Sequence, residues 1–439
     1  MNSLLILIAA SAPLLSSQPT PEEVQKLINT PPAQVRAYPT ADQFPGAVPR
    51  EAPRVTQSLP VDTKIPGWHS TGLYAAPGEL ISIEIPASAA GKKLRVRIGA
   101  HRDNLSKLEK LKRFPIVTRE FPLAAARTEA ANAFGGAVYV EVPDKCALGT
   151  ITVTIRGAVQ APWYVHGRTS LADWKNKLRN LPAPWAEIGS DRIILSVPSS
   201  AIRALDDPSA LMELWNRVVD AEDDLAAWPR PRTRPERIVP DVQISAGYMH
   251  AGCPVMVQSD MNNVLADRDR LSKGQWGFFH ELGHNHQSRD WTFDGTGEVT
   301  CNLFSLYVFE TVCGIRDGGH PAMKADKREK RMQEYFASGA DFEKWKKDPF
   351  LALTMYWQMK EAFGWEPFKK AFAAYRALPD AERPKTDDAK RDQWLVRFSR
   401  QVGRNLCPFF TAWGVPTSAE ARDSIRNLPA WMPANFPPR

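Results

Sequence analysis

Residues 275–302 read "QWGFFHELGHNHQSRDWTFDGTGEVTCN" and hold three of the chain's eight histidines within seven positions. At their centre, His280-Glu281-Leu282-Gly283-His284 fits H-E-x-x-H. On a helix the two histidines stand at i and i+4, share a face and can put two imidazole nitrogens on one Zn²⁺. Glu281 then lies one residue past the first ligand, where a base can take a proton from water without binding the metal. Trp276, Phe278, Phe279 and Leu282 supply the apolar side of a buried helix. Gly283 costs about 1 kcal/mol against Ala inside a helix, so its presence points to close approach by another backbone or by substrate.

A hydrolytic zinc needs three protein ligands and one open position, so a third ligand has to come from downstream. The nearby carboxylates are Asp290, Asp294, Glu298 and Glu310. Asp294-Gly295-Thr296-Gly297 reads as a turn and cap, and residues 298–312 have helical spacing with few breakers. Glu298 therefore falls in the first turn of a second helix, able to point back at the first, with Asn302 one turn later on the same face. The helix dipole alone favours a glutamate there; coincidence with the histidine pair is what makes Glu298 the expected ligand. His286 faces another way, and it and Gln287 are expected outside the ligand set. Glu310 is three turns into the second helix and too far to serve.

H-E-x-G-H followed by "GEVTCN" resembles the M60 peptidases, the enhancin-like, mucin-degrading zinc metallopeptidases of gluzincin type. "STGLYAAPGELISIEIP" (70–86), "LRVRIGAHRDNL" (94–105) and "FGGAVYVEVP" (134–143) are similar to the β-rich module preceding that family's catalytic part. "GYMHAGCPVMV" (247–257) and "NLCPFFTAWGVPTS" (405–418) are similar to its upstream strand and C-terminal helical region; Cys253 stands where an aromatic such as Tyr is expected. The resemblance spans roughly residues 60–430. It implies His280, His284 and Glu298 as ligands of one Zn²⁺ per chain, Glu281 as general base, and a glycoprotein or mucin substrate with carbohydrate contact.

With 439 residues the chain can form two or three domains with substantial cores. The expected fold is α+β multidomain: an N-terminal antiparallel β-sandwich, then a gluzincin-like zinc peptidase domain with a helical C-terminal subdomain. Residues 1–17 hold an apolar run, Leu4 to Leu15, too short to span a bilayer, and are expected to be a signal peptide. This implies a secreted, periplasmic or cell-surface protein. Residues 18–60 are Pro-rich and form a linker or an arm on the next domain. Residues 61–160 alternate apolar and polar positions between Gly and Pro turns, as in "GAVYVEV" and "GTITVTIRG", which predicts the sandwich. From "APWYVHGRTSLADW" onward the pattern turns helical, with "DVQISAGYMHAGCPVMV" as strand, turn, strand beside the active-site helix, where extended substrate can pair. The catalytic domain is taken as 161–345 and the helical subdomain as 346–439.

The formal charge is +7 with a pI near 9.1, but Asp and Glu interleave the basic clusters. That is a solvated surface, and no nucleic-acid motif accompanies it. No later segment is apolar enough to cross a membrane. Five cysteines make no disulfide framework in a chain this long and leave at least one free thiol. Cys301 and Cys313 on one helix would stand about 18 Å apart, beyond bridging distance. Without a C-x-x-C pair, thiolate ligation is not expected. Tyr248, His250 and Tyr356 are candidate oxyanion donors, none singled out. Two other readings fit the residues: a glycan-binding or adhesin protein with a non-catalytic zinc site, and a zinc hydrolase of cell-wall peptides.

Overall fold

The computed structural model describes residues 18–434 and 436, so the expected signal peptide, residues 1–17, lies outside the described residues. The chain forms two compact units. Unit 1 runs to Glu213 and takes in Arg232–Arg268; unit 2 comprises Leu214–Pro231 and Asp269–Arg439.

Unit 1 begins with helix α1, Pro21–Asn29. Thr20 Oγ1 accepts from the Glu23 amide at 3.2 Å and the Glu23 carboxylate accepts from the Thr20 amide at 2.8 Å, a reciprocal cap that satisfies two otherwise unpaired donors. Val24, Val35 and Ala41 then bury against Phe114 and Phe134, so the Pro-rich arm is packed down rather than trailing.

Eight antiparallel strands follow: β1 Val55–Asp62, β2 Gly67–Ala75, β3 Ile81–Glu84, β4 Arg95–Ile98, β5 Arg119–Pro122, β6 Arg127–Ala130, β7 Gly136–Val142 and β8 Thr150–Gln160. Their order is β5-β4-β7-β2-β8-β3-β6, with β1 also paired to β8. In β8 Val153 and Ile155 point inward while Thr152 and Arg156 are exposed, the period-two signature of a sheet with one wet face. Val61, Ile83 and Val153 from one half share a core with Leu73, Val96 and Val140 from the other, which makes the eight strands a sandwich.

A second, mixed sheet of six strands belongs to the same unit: β9 Trp163–Val165, β10 Trp185–Gly189, β11 Ile193–Pro198, β12 Glu236–Asp241, β13 Met249–His250 and β14 Val255–Gln258. Its order is β13-β14-β12-β11-β10-β9, with β9 parallel to β10, and β12 parallel to both β11 and β14. The helical reading from residue 161 is corrected here, because 163–198 contains three strands. β10 and β12 are buried at every position, so both faces are covered and no alternation shows in the sequence. The charges this buries are paired. Arg237 meets Glu187, which also accepts from the Tyr139 hydroxyl at 3.0 Å, and Arg113 grips Asp241 at 2.8 Å with both side chains buried.

Unit 2 is helical. Helix α2, Pro208–Leu225, is capped by Asp207, whose Oδ1 accepts from the Ala210 amide at 2.9 Å, and its C-terminal part lies in this unit. It is followed by α3 Trp276–His286, α4 Gly297–Thr311, α5 Pro349–Phe363, α6 Glu366–Arg376 and α7 Asp387–Val402. The aromatic residues are core: Trp394 has Phe398, Phe372 and Phe368 ring centroids at 5.5, 5.8 and 6.2 Å. All five cysteines are free thiols. No helix among the described residues is long and apolar enough to cross a membrane.

Candidate metal centre

Helices α3 and α4 pack closely because Gly283 allows it. A Cβ at that position would come 2.4 Å from the Cys301 carbonyl oxygen and 3.1 Å from Phe304 Cβ. The close approach that Gly283 suggested is therefore to a backbone. Its consequence is that the face of α3 bearing His280 and His284 meets the first turn of α4.

At this junction the two imidazole Nε2 atoms lie 3.1 Å apart. Glu298 Oε2 stands 3.1 Å from His280 Nε2 and 3.4 Å from His284 Nε2. Two nitrogens on one tetrahedral zinc, each about 2.0–2.1 Å from it, lie about 3.3 Å from one another, so the spacing suits such an ion. Thr296 does not cap α4 as expected; its hydroxyl donates back to the Phe293 carbonyl at 2.6 Å. The α4 first turn is thus left with Glu298 free to turn toward α3, its side chain 62% exposed.

The tautomers of both rings follow from their other partners. Asn302 Nδ2 donates to the Glu298 carbonyl at 2.7 Å, which turns its Oδ1 to His280 Nδ1 at 2.7 Å. Gln287 Nε2 donates to the Gly297 carbonyl and to Thr300 Oγ1, turning its Oε1 to His284 Nδ1 at 2.8 Å. An amide oxygen only accepts, so each Nδ1 carries the hydrogen and each Nε2 presents a lone pair. Two imidazole nitrogens and a carboxylate oxygen converging on one point suit a cation. Burial disfavours charge on the rings, yet contact with Cys301 and Glu298 outweighs it and raises His280 to about 11 and His284 to about 10, so the point favours positive charge and a metal taking the Nε2 lone pairs would displace protons from the rings. The two rings in turn hold Glu298 well below the usual carboxylate range.

Cys301 is the residue that sequence reasoning left out. His280, His284, Glu298 and Cys301 have donor atoms all within 4.8 Å of one another, a group that could hold a metal ion. A thiolate sharing a tetrahedral zinc with a ring nitrogen would lie about 3.5 Å from it. Cys301 Sγ is 4.0 Å from His280 Nε2 and nearer, 3.6 Å, to Nδ1, so it flanks the ring. The signal was present: Glu298, Cys301 and Asn302 stand at i, i+3 and i+4 and share a helix face.

The competing carboxylates are engaged elsewhere. Asp290 pairs with Arg383, Asp294 with Lys346 at 3.0 Å and Arg391 at 2.6 Å, and Glu310 with Lys360 at 2.5 Å. Glu281 is buried beside His280 in the chain. His286 is fully buried against Glu222 and Asp223. Of the three candidate oxyanion donors, Tyr356 is sealed in the aromatic core, His250 is bonded to Asp103, and the Tyr248 hydroxyl, raised to about 12 by burial and by Asp260, donates to Asp260 at 2.6 Å.

The chain belongs to the family described as peptidase M60, enhancin and enhancin-like, whose model matches residues 157–414, and residues 48–156 match the N-terminal domain of M60-like peptidases. TRPM8 channel-associated factor 2 of Homo sapiens is 44% identical over 368 residues, 83% of this chain and 40% of that protein. A TRPM8 channel-associated factor homolog of Xenopus laevis is 43% identical over 380 residues, 85% and 42%. This chain thus spans about two fifths of the length of these curated relatives. Among solved structures, a functionally unknown conserved protein of Bacillus anthracis superposes with a TM-score of 0.69 at 24% identity, covering 85% of this chain and 80% of that one. The IMPa metallopeptidase of Pseudomonas aeruginosa in complex with an O-glycopeptide does so with a TM-score of 0.63 at 19% identity, over 88% and 52%. Identities this low establish a shared fold. The family implies zinc, which the geometry of the two rings and Glu298 fits.

Proposed function

We propose that the chain is a zinc-dependent endopeptidase acting on O-glycosylated, mucin-like proteins. The observation that carries the reading is the convergence of two imidazole nitrogens and the Glu298 oxygen on one point, with Glu281 next to His280 in the chain. His280, His284 and Glu298 would hold one Zn²⁺. Bound there, zinc supplies Lewis acidity to a peptide carbonyl and to water. Glu281 accepts the proton of the attacking water and delivers it to the leaving amine nitrogen, a carboxylate relay with each transfer at the same side chain. Asn302 and Gln287 keep the two rings oriented. The glycoprotein preference draws support from the O-glycopeptide bound by the structurally similar Pseudomonas aeruginosa peptidase. Action outside the cytoplasm rests on the apolar run from Leu4 to Leu15 and is tested by N-terminal sequencing of the protein exported by its host.

The experiment is digestion of an O-glycosylated mucin-type protein, with chelator-treated and deglycosylated samples alongside. Chelator-sensitive cutting beside glycosylated Ser or Thr is expected, and Glu281→Gln should lower the rate by about 10²–10⁴-fold while metal content and melting temperature stay as they were. Retained turnover in that variant would sink the assignment of the base. A second reading, a binding protein without peptidase activity, is favoured by relatives 43–44% identical that are named channel-associated factors. No cleavage of glycosylated or bare substrate by zinc-loaded protein would favour it.

A further inference from the structure

Unit 1 contains a cavity of about 790 Å³ whose walls come from β1, β2, β9, the loops at 165–168 and 189–194, and residues 234–237 with Cys253. Its volume falls in the range of small-molecule sites, about 300–1,000 Å³, and none of its walls includes His280, His284 or Glu298.

The chemistry of the walls is specific. Arg237 is neutralised by Glu187. Arg234 is not: among the described residues no carboxylate meets it, its side chain makes no hydrogen bond, and its Nη1 is enclosed away from solvent. That N–H, removed from water without an acceptor, is left at the full cost of desolvation, and Arg234 lines the cavity as a cation with no carboxylate paired to it among the described residues. Gly67, at φ +93°, lies beside the Arg234 chain, whose Cδ is 3.7 Å from where a Cβ would stand, an ordinary contact.

Two indoles in the same walls are fixed. Trp163 lies on the backbone of β2, where a Cβ at Gly72 would come 2.6 Å from its Cε3. Trp68 is held by the Arg97 guanidinium at 4.1 Å and the Tyr139 ring at 5.4 Å. Both are half-buried and keep part of their surface for a ligand. Ser70 and Asp191 add polar groups around them. Rigid indoles with polar neighbours suit a ring with one apolar face and hydroxyls at its edge, and the unpaired guanidinium selects one that carries a carboxylate.

We propose that this cavity binds an acidic sugar residue, its carboxylate paired with Arg234 and its ring laid on an indole. The inference is independent of the peptidase reading, because no residue of the metal centre takes part. The test is calorimetric titration of the full chain, with and without chelator, using N-acetylneuraminic acid, glucuronic acid and neutral galactose. Saturable binding of at least one acid is expected, unchanged by chelator, with galactose failing to bind. Arg234→Met and Trp163→Ala should each weaken it at least tenfold at an unchanged melting temperature; Arg234→Lys, which keeps the charge and loses the fork, should fall between. Absence of saturable binding of both acids to the intact chain would overturn the proposal. So would equal binding of galactose, loss of binding on chelation, or wild-type affinity in Arg234→Met. Should Arg234→Met fail to fold, the intact-chain arms and Trp163→Ala decide the matter.

Discussion

Two histidines on helix α3, two residues apart, occupy opposite chemical environments. His284 is 20% exposed, with its Nδ1 held by the neutral Gln287 amide and its Nε2 left to face Glu298. His286 is buried, and both of its nitrogens face acceptors: Nδ1 lies 2.7 Å from the Leu282 carbonyl and 3.0 Å from Glu222, and Nε2 lies 2.9 Å from Asp223. A ring whose two nitrogens both donate has no lone pair to offer a metal. The partner of the far nitrogen decides whether a histidine binds an ion or ties a core together; a neutral amide permits the first and a pair of carboxylates enforces the second.

The largest expected effect comes from breaking the buried side. His286→Leu leaves Glu222 and Asp223 without their imidazole partner, and should lower stability in denaturant unfolding by about 3–5 kcal/mol. Zinc affinity of the folded fraction should stay near wild type, and a collapse of that affinity without loss of stability would invert the assignment. On the other side, His284→Leu should weaken zinc binding by more than about 100-fold, beyond what partners outside the ligand set cost, with little change in the melting temperature of metal-free protein. Competition titration against a chromophoric chelator reads this directly. Asn302→Leu removes the group that orients His280 and should cost about 10–100-fold in the same titration; no change would mean that the ring holds its place without it.

A third histidine lies between these extremes. His250 Nε2 lies 2.8 Å from Asp103 Oδ2, with His250 partly exposed. The Asp103 bond raises His250 above its ordinary 6.5. Burial works against the charge on Asp103, but the bonds from His250 and the Ser245 amide outweigh it and hold the carboxyl at about 2, below its ordinary 3.8. The sign follows from both. Asp103 stabilises fully above pH 3.8 and loses its contribution as pH falls toward 2; His250 stabilises fully below 6.5 and loses it as pH rises through its elevated value. The pair should add about 1 kcal/mol between roughly pH 4 and 6.5. Asp103→Asn should flatten the melting profile across that window, and an unchanged profile would remove the pair from the stability of unit 1.

The grouping of His280, His284 and Glu298 was legible because helical periodicity converts directly into geometry: i, i+4 for His280 and His284, and a first-turn Glu298 after a Gly-rich turn. The sandwich was legible for the same reason at period two, as Val153 and Ile155 alternate with exposed Thr152 and Arg156. The six-stranded sheet was not, because β10 and β12 are covered on both faces and a continuous buried run has no period. Cys301 shares a helix face with Glu298 and Asn302, which the spacing shows, but its distance to His280 depends on how closely α4 approaches Gly283, which the spacing does not. The cavity at Arg234 was missed for a similar reason: its walls come from six separated stretches of chain, and only folding shows that no carboxylate reaches that guanidinium.

The chain passes between its units at residues 213/214, 231/232 and 268/269, and this has a consequence for synthesis. Glu222 and Asp223 leave the ribosome in a segment of unit 2 lying between two segments of unit 1, and His286 follows Asp223 by 63 residues. A nascent chain stopped before residue 269 carries two carboxylates destined for burial with no imidazole to receive them. The contact that buries them waits for His286, so the helical unit completes its core only once that residue has emerged. Neither unit can be recovered by truncation at a single point; a linear fragment takes part of the other unit with it or leaves part of its own behind.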